Sequence, residues 1–287
     1  MNTYDAELQF REAVIGMARQ GVTRERFGKM QRAFASAPGA ITKRLTKFGL
    51  RKVFSVMPDW VGRSVGMPRL GAVRFGDLDG VRPIGEVFGG NRGRPIDRYY
   101  IEEFLTRNSD CIRGRVLEIE DNTYTMRFGG AAVTKSDVLH LHEGYPGATI
   151  FGDMTDPRVL PADAFDCIVL TQTLHLLYDM KAGVNALYRA LKPGGTLILT
   201  VPGITPIDPG EWGDYWYWSL TEAATRRLLC EAFPADDVRC TTYGNVFAAI
   251  TFLAGIATEE VPQQKLDVYD RSFPMIIGAR AVKPVSA

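Results

Sequence analysis

An alternation of short apolar segments with loops and helix-like segments, beginning near residue 114, most constrains how this chain can fold. Val116, Leu117 and Ile119 form the first apolar segment, and a polar run over residues 120–125 follows it directly. Strands separated by helical crossovers pair in parallel, and the loops at their carboxyl ends line a shared ligand site. The sequence therefore predicts a mostly parallel α/β sheet whose first loop faces a ligand. The other strand candidates cover residues 132–134, 148–151, 165–171 and 195–201.

The composition is that of an ordinary globular protein, with 46% hydrophobic and 23% charged residues in a chain of 287. No apolar run reaches the roughly 18 residues of a membrane-spanning helix, and the first residues lack the pattern of a secretory signal. The four cysteines form no Cys-x-x-Cys pair, so neither a zinc site nor a redox motif is indicated. We therefore expect a cytoplasmic protein without a transmembrane segment.

The first 75 residues are basic, with fourteen Lys and Arg against five Asp and Glu. A basic segment can bind anionic lipid, nucleic acid, a phosphorylated substrate or the acidic remainder of its own chain. We rank a solvated or self-paired surface above any specific partner, and no nucleic-acid partner is expected. Frequent Gly and Pro predict mostly turns over residues 57–93, with a short strand at 72–75. The sequence thus predicts a basic helical N-terminal extension, residues 1–90, before a second domain, residues 91–287. Helices predicted within the extension cover residues 4–19, 24–35 and 41–54.

The second domain shows further helix and strand patterns around the alternating segments. Thr221 is a plausible N-cap for the last of its helices. Two more strands follow that helix and would close a seven-stranded sheet. The predicted helices cover residues 95–105, 182–191 and 221–232, and the closing strands cover residues 238–243 and 275–282.

Five elements of this domain follow one another in a recognisable order: residues 116–119, Asp137, residues 152–153, residues 165–170 and residues 190–197. In order and spacing they resemble class I S-adenosylmethionine-dependent methyltransferases. The resemblance covers residues 94–283 and implies a Rossmann-like, mostly parallel sheet of seven strands with S-adenosylmethionine as cofactor. Two shorter segments are similar to methyltransferases associated with glycosyl transfer and polysaccharide modification, namely residues 95–102 and 211–216.

The loop after the first strand departs from the family, whose glycine-rich turn lets the backbone approach the cofactor. Glu120, Asp121 and Asn122 stand there instead, and glycines come only later. In one interpretation, Glu118 or Asp121 binds the amino group of the cofactor, while Asn122 and Tyr124 shape the turn. In the other, the site is degenerate and no longer binds the cofactor. We favour binding, because the polar residues have no other evident role.

The family implies more cofactor contacts at the ends of the other strands. Asp137, after the second strand, would accept hydrogen bonds from both ribose hydroxyls. Asp153, after the third strand, would bind the adenine amino group, with Met154 beside the ring. Each acid could instead be a loop acid or a helix cap. Thr171 and Gln172 end the fourth strand, at the mouth of the site.

Arg98 and Tyr99 lie in the helix that precedes the sheet. In the family this helix often closes over the methionine end of the cofactor. Arg98 would pair with the cofactor carboxylate, because a guanidinium binds a carboxylate through two parallel hydrogen bonds. A surface salt bridge is the alternative role for Arg98.

Methylation of a hydroxyl requires removal of its proton, and four residues are candidates for that step. His175 follows the fourth strand and has a reference pKa of about 6.5, which suits a general base. A structural histidine is an equal alternative. Asp208, Glu211 and Asp214 follow the fifth strand, and they could also hold a divalent ion, although no ligand spacing requires one.

Aromatic residues surround these acids, at Trp212 and over residues 215–218. Aromatic faces stack on sugar rings while carboxylates bind hydroxyls, so this composition favours a carbohydrate acceptor. Packing of a lid or of a dimer contact is the alternative, which leaves a homo-oligomer open. His140 and His142 could share a face and bind a metal, but without a third ligand we expect them to be solvent-exposed.

Together these features predict an S-adenosylmethionine-dependent O-methyltransferase acting on a saccharide or glycosylated metabolite. A non-sugar natural product is the alternative acceptor. A non-catalytic scaffold with a methyltransferase fold is the alternative from a different class. A nicotinamide dehydrogenase is disfavoured, because no Gly-x-Gly-x-x-Gly follows the first strand.

Overall fold

A computed structural model of the chain describes Glu25 and residues 71–285. The three helices predicted within residues 4–54 lie outside the described residues, apart from Glu25, which is helical. The chain divides into two units, Met1–Asp79 and Gly80–Ala287. The short strand predicted at residues 72–75 is wrong, because this segment is irregular and its Val73 and Phe75 are exposed rather than packed.

The second unit is built on one seven-stranded sheet of order β3-β2-β1-β4-β5-β7-β6. Strands β1 to β5 are parallel, and β7 is antiparallel to both of its neighbours. This arrangement confirms the predicted Rossmann-like, mostly parallel sheet with its closing pair. The strands are β1 Gly114–Ile119, β2 Val133–His140, β3 Ile150–Phe151, β4 Phe165–Thr171, β5 Leu191–Pro202, β6 Val238–Tyr243 and β7 Ile276–Val282.

Side-chain caps begin three of the helices. Asp179, Thr221 and Asn245 each accept a hydrogen bond from a backbone N–H three residues later, which satisfies an otherwise unpaired donor of the first turn. The cap predicted at Thr221 is therefore confirmed. The helices described are α1 Ile96–Arg107, α2 Met180–Ala190, α3 Glu222–Leu229, α4 Val246–Leu253 and α5 Gln263–Leu266. None of them is long and apolar enough to cross a membrane.

Some predicted boundaries are wrong. Strand β2 continues past Asp137 to His140, because its buried residues lie in the second half of the strand, beyond a polar beginning. Strand β5 begins at Leu191, before the predicted glycine turn, since a register shift between Phe165 and Cys167 of β4 accommodates that turn within the strand pairing. Helices α4 and α5 were not predicted.

Apolar cores cover both faces of the sheet, because alternate strand residues point to opposite sides. On one face Leu117 and Ile168 pack in a cluster with α2 and α3 residues such as Leu187 and Leu229. On the other face, Val116 and Cys167 join a cluster that contains the inner sides of α1 and α4. With both faces covered, the loops at the strand ends are the part of the sheet left to bind ligands.

Candidate active site

Strands β1 and β4 lie side by side, although the chain leaves β1 toward β2 and leaves β4 toward β5. Their pairing is in register, with Leu117 opposite Ile168 and Glu118 opposite Val169. Open α/β sheets bind ligands in the crevice outside the carboxyl ends of the strands, where the strand order reverses. The loops that follow Ile119 and Thr171 therefore border the candidate site, which we call the crevice.

Both loops bordering the crevice carry a non-glycine residue in the left-handed region. Glu120 has φ 73° and Gln172 has φ 47°. Hydrogen bonds to neighbouring strands hold them, from the Glu120 N–H to the Leu139 carbonyl at 3.0 Å and from the Gln172 N–H to the Thr200 carbonyl at 2.9 Å. Such strain persists only where the surrounding structure enforces it, and it clusters at functional sites.

The buried carboxylate of Glu118 organises the loop after β1. It accepts backbone hydrogen bonds from Thr125 at 2.7 Å and from Tyr124 at 3.3 Å. Burial raises the pKa of Glu118 to about 7, although those hydrogen bonds act to lower it. Asp121 likewise accepts from the N–H of Thr123 at 2.7 Å. Carboxylates thus shape a loop that lacks the glycines of the family pattern.

Arg98 and Tyr99 are adjacent in α1 but face different surroundings. Burial acts to lower the pKa of Arg98. Nearby groups outweigh it and raise this pKa, namely the carboxylate of Asp97, the hydroxyl of Tyr124 and the carboxylate of Glu120. This places the guanidinium at the loop after β1. The Tyr99 hydroxyl instead donates to Asp267 at 2.5 Å. It is therefore engaged away from the crevice.

Asp137 does not follow the second strand, and that prediction is wrong. It lies within β2, three residues before its end at His140, and pairs in register with Leu117. Its buried carboxylate accepts from Arg115 Nε at 2.7 Å and from Thr149 Oγ1 at 3.0 Å. At about 3.3 Å per residue, it sits roughly 10 Å below the end of the strand. The acid therefore holds strand β2 rather than bordering the crevice.

Other predicted cofactor residues do lie at strand ends. Asp153 is exposed just after β3, and its Oδ1 accepts from the N–H and the hydroxyl of Thr155, both at 2.8 Å. Met154 is buried in the core, so only its backbone could approach a ligand. Asn122 donates to Ser136 Oγ at 3.1 Å. Thr171 and Gln172 are half-buried at the end of β4, as the sequence predicts.

His175 is completely buried after β4, and within the described part of the chain neither of its ring nitrogens has a hydrogen-bond partner. Its ring meets Trp216 edge-on, with 4.3 Å between centroids. Burial lowers the pKa of His175 to about 3, which leaves a weak base at neutral pH. Among the predicted acids, Asp208 accepts from the N–H of Trp212 at 3.0 Å. Glu211 and Asp214 are exposed.

His140 is buried rather than exposed, so that part of the prediction is wrong. Its ring stacks on Tyr145 at 3.8 Å, and its Nδ1 accepts from the N–H of His142 at 3.1 Å. His142 is exposed, as predicted. Among the described residues, no group of three His, Cys, Asp or Glu side chains could hold a metal ion.

Comparison with known proteins agrees with the order of these elements. Residues 113–199, from the start of β1 into β5, match the family model of a methyltransferase domain. This segment therefore has the sequence of a methyltransferase domain. One curated protein, a probable polyketide synthase from Dictyostelium discoideum, is 28% identical over 67 residues, which are 23% of this chain and 3% of that protein.

Solved structures similar to this methyltransferase domain are distant in sequence. A methyltransferase from Mesorhizobium loti is 16% identical, with a TM-score of 0.46, over 65% of this chain and 99% of that one. The N-methyltransferase NodS from Bradyrhizobium japonicum, in complex with S-adenosylhomocysteine, is also 16% identical, with a TM-score of 0.43, over 67% and 90% of the two chains. No acceptor for this methyltransferase domain follows from these likenesses.

The donor set at the crevice fits S-adenosylmethionine. The cofactor carries an ammonium and a carboxylate. Glu118 is a buried acid held by the loop after β1, and the guanidinium of Arg98 faces Glu120 and Tyr124 of that loop. Sequence reasoning missed Thr125, whose N–H donates to Glu118 only in the folded chain.

Proposed function

We propose that this domain transfers a methyl group from S-adenosylmethionine to a hydroxyl of a saccharide or glycosylated metabolite. The observation that carries the acceptor class is a group of exposed rings, the aromatic platform, formed by Tyr178, Tyr217 and Trp218. Tyr178 lies 5.4 Å from Tyr217 and 6.2 Å from Trp218 between ring centroids. The three rings are 75%, 45% and 38% exposed, so they offer faces on which a sugar ring can stack.

The aromatic platform joins the segments that follow β4 and β5. Trp218 Nε1 donates to the Leu177 carbonyl at 3.0 Å, which ties the two segments together. Both segments begin at the carboxyl edge of the sheet, the same edge as the crevice. An acceptor on the platform would therefore share this edge with a cofactor in the crevice, which supports methyl transfer between them.

For the cofactor, the proposal assigns its carboxylate to Arg98 and its amino group to Glu118 or Asp121. Asn122 and Tyr124 shape the loop, as their contacts with Ser136 and Glu118 indicate. Asp153, the backbone of Met154, Thr171 and Gln172 remain proposed contacts at the strand ends. Asp137 and Tyr99 leave the proposed set, because each is engaged with residues away from the crevice.

Bound S-adenosylmethionine supplies an electrophilic methyl group. The protein's contribution is to orient the acceptor hydroxyl, to exclude water and to accept the hydroxyl proton, and positioning alone can supply much of the acceleration. Asp208, Glu211 and Asp214 are the proposed proton acceptors, since carboxylates on the segment after β5 lie among the aromatic residues. His175 is not proposed as the base, because burial holds its pKa at about 3.

Titration calorimetry with S-adenosylmethionine and S-adenosylhomocysteine tests the cofactor half of the proposal. We expect one binding site, and we expect Arg98→Ala to weaken binding about tenfold through loss of a charge-assisted contact. Arg107→Ala is the matched control, since Arg107 lies on the same helix and pairs with Glu103. Absence of binding heat for both ligands in the wild type would support the non-catalytic scaffold instead.

An acceptor screen with labelled S-adenosylmethionine tests the other half. Glycosylated and free forms of each compound are compared, and label is expected only in the glycosylated forms. Tyr178→Ala should then raise KM for the acceptor several-fold with little change in kcat, because the ring stacks on the acceptor without reacting. Tyr269→Ala, another exposed tyrosine, is the control. Transfer to free phenols alone would establish the non-sugar alternative.

A further inference from the structure

A second concave site lies at the edge of the sheet opposite the crevice. Arg113 precedes β1 and Asp166 is the second residue of β4, so the site borders the amino ends of these strands. It is a cavity of about 320 Å³, which we call the amino-edge cavity. A volume of this size is within the range of small-ligand pockets. The charged and hydroxyl side chains that line it belong to Asp110, Arg113, Asp166, Thr196 and Arg280.

Arg113 and Arg280 bring two unpaired guanidinium groups to the amino-edge cavity. Neither guanidinium makes a hydrogen bond or an ion pair with any residue that the structure describes. Arg239 lies directly opposite Arg280 in the antiparallel pairing of β6 with β7, so the two side chains share a face of the sheet. Like charges directly opposite each other on neighbouring strands are destabilising. An anion bound at Arg280 would offset this repulsion.

The acids at the amino-edge cavity do not neutralise its arginines. The carboxylate of Asp166 is engaged already, because it accepts from Lys192 Nζ and from the Arg115 N–H, both at 2.7 Å. Asp110 is exposed, and it forms no ion pair within the described part of the chain. Asp110 thus faces Arg113 and Arg280 in the cavity, with Arg239 beside them, so positive charge is in excess. This excess favours a negatively charged ligand.

Thr196 adds a hydroxyl group to the same cavity. It lies two residues before Ile198, the partner of Arg280 in the pairing of β5 with β7, so Thr196 and Arg280 share a face of the sheet. Thr196 is 7% exposed, and its Oγ1 has no hydrogen-bond partner among the described residues. Thr196 Oγ1 is not one of the unpartnered polar atoms closed off from solvent, so it is accessible from the cavity. A hydroxyl in this position can donate to a ligand.

This set of donors favours a phosphate group over a carboxylate. A guanidinium binds either anion through two parallel hydrogen bonds, so one arginine already satisfies both oxygens of a carboxylate. A phosphate monoester presents three terminal oxygens and carries between one and two negative charges near neutral pH. It can therefore accept from two guanidinium groups and a hydroxyl at the same time, which is the set that Arg113, Arg280 and Thr196 offer.

We propose that the amino-edge cavity binds a phosphate group, free or as the monoester of a small molecule, through Arg113, Arg280 and Thr196 Oγ1. Arg239 adds positive charge beside Arg280. The site is distinct from the crevice, since it lies at the other edge of the sheet, and it does not depend on the proposed methyl transfer. A bound phosphate links the segment after α1 to β5 and β7, and so stabilises the folded chain.

Titration calorimetry of the full chain with inorganic phosphate tests the site, with ionic strength held constant by sodium chloride. We expect one phosphate site, and we expect Arg280→Gln and Arg113→Gln each to weaken binding about tenfold through loss of a charge-assisted contact. Arg227→Gln is the matched control, because Arg227 is an exposed arginine of α3 outside the cavity, and it should leave the affinity unchanged. Arg98→Ala, at the crevice, should also leave it unchanged.

Urea unfolding separates ligand binding from a structural role of Arg280. Without phosphate, Arg280→Gln removes the repulsion with Arg239, so the variant should unfold at the same urea concentration as the wild type or at a higher one. With phosphate, the unfolding midpoint of the wild type should rise above its value in chloride, and that of the variant should not. Arg113 is exposed, so Arg113→Gln provides the same test if Arg280→Gln does not fold.

Glycerol 3-phosphate, inorganic phosphate and acetate are compared to identify the ligand. Tighter binding of glycerol 3-phosphate than of inorganic phosphate indicates a phosphate monoester as the ligand, and equal affinity indicates free phosphate. Acetate should bind at least tenfold more weakly than either, because it lacks the third oxygen and the second charge.

Three results would overturn the proposal: no binding of either phosphate compound, equal binding of acetate, or phosphate binding that survives both Arg280→Gln and Arg113→Gln. None of these readouts requires methyl transfer. If the wild type bound phosphate but no S-adenosylmethionine, the proposed function would fail and the phosphate site would stand.

Discussion

Glu118 and His175 are buried beside the same edge of the sheet, and burial moves their pKa values in opposite directions. The pKa of Glu118 rises from 4.5 to about 7, so between these values the folded chain holds a proton that the unfolded chain has lost. Stability therefore falls as pH rises through that window. The pKa of His175 falls from 6.5 to about 3, so its contribution to stability rises with pH between those values. The two contributions to stability oppose each other between pH 4.5 and pH 6.5, where both pKa ranges overlap. Substitution of one residue at a time separates them.

Glu118→Gln should remove the contribution of Glu118 to this pH dependence. Glutamine stays neutral, so relative to the variant the wild type should lose about 3 kcal/mol of unfolding free energy between pH 4 and pH 8, an order-of-magnitude value from the shift. Urea unfolding at several pH values measures it. At pH 4 both side chains are neutral, and the two proteins should differ little. Parallel stability curves over the whole range would show that Glu118 ionises normally.

At the scale of elements, the segment of residues 84–93, which we call the strap, depends on a close backbone approach to the turn after α4. Gly255 ends the turn after α4 with φ 70°, and a Cβ there would lie 2.2 Å from the Gly85 carbonyl oxygen. Pairing of Arg92 with Glu260 and the bridge between Pro95 and Ala257 continue the contact. Glycine is therefore required at this contact for both conformation and space.

Gly255→Ala should destabilise the protein more than Gly144→Ala. Both glycines have positive φ, but a Cβ at Gly144 meets no atom within 4 Å, whereas one at Gly255 meets backbone. We expect about 1 kcal/mol for Gly144→Ala from conformation alone and about 3 kcal/mol or more for Gly255→Ala. Chemical denaturation measures both changes. Equal losses of unfolding free energy in the two variants would mean that Gly85 can move away from the new Cβ at position 255 without an energetic cost.

At the scale of the whole molecule, one sheet positions the crevice and the aromatic platform. Both are built from segments at the carboxyl edge of the sheet, and β1 and β4 pair at the centre of the sheet. The central strand β4 is completely buried from Cys167 to Leu170. A ligand that bridges the loops after β1 and β4 should therefore stabilise the sheet against unfolding.

S-adenosylhomocysteine should raise the free energy of unfolding by about 2.7 kcal/mol at a concentration one hundred times its Kd. The cause is selective binding to the folded chain, and denaturant titration with and without ligand measures it. NAD, which requires a glycine fingerprint that this chain lacks, is the control and should have no effect. Stabilisation by both compounds, or by neither, would contradict the assignment of the crevice.

Several elements could be predicted because their signals are local. Strand β4, helix α1 and the closing strands β6 and β7 show apolar runs or helical spacing in the sequence, and the structure confirms them. Asp137 was misplaced because the polar beginning of β2 hides a strand that continues to His140. Tyr178 escaped notice because it joins the aromatic platform only when the segments after β4 and β5 meet.

By itself the sequence determined the class of fold and the edge of the sheet at which the candidate site lies. Alternating strands and helices leave few ways to bury two apolar faces, and a parallel sheet places its carboxyl-end loops together. Only the tertiary structure decided which polar groups are paired there. Glu118 is engaged by its own loop, Asp137 by Arg115, and His175 by no described residue. Those outcomes depend on contacts between distant segments, which neither spacing nor composition encodes.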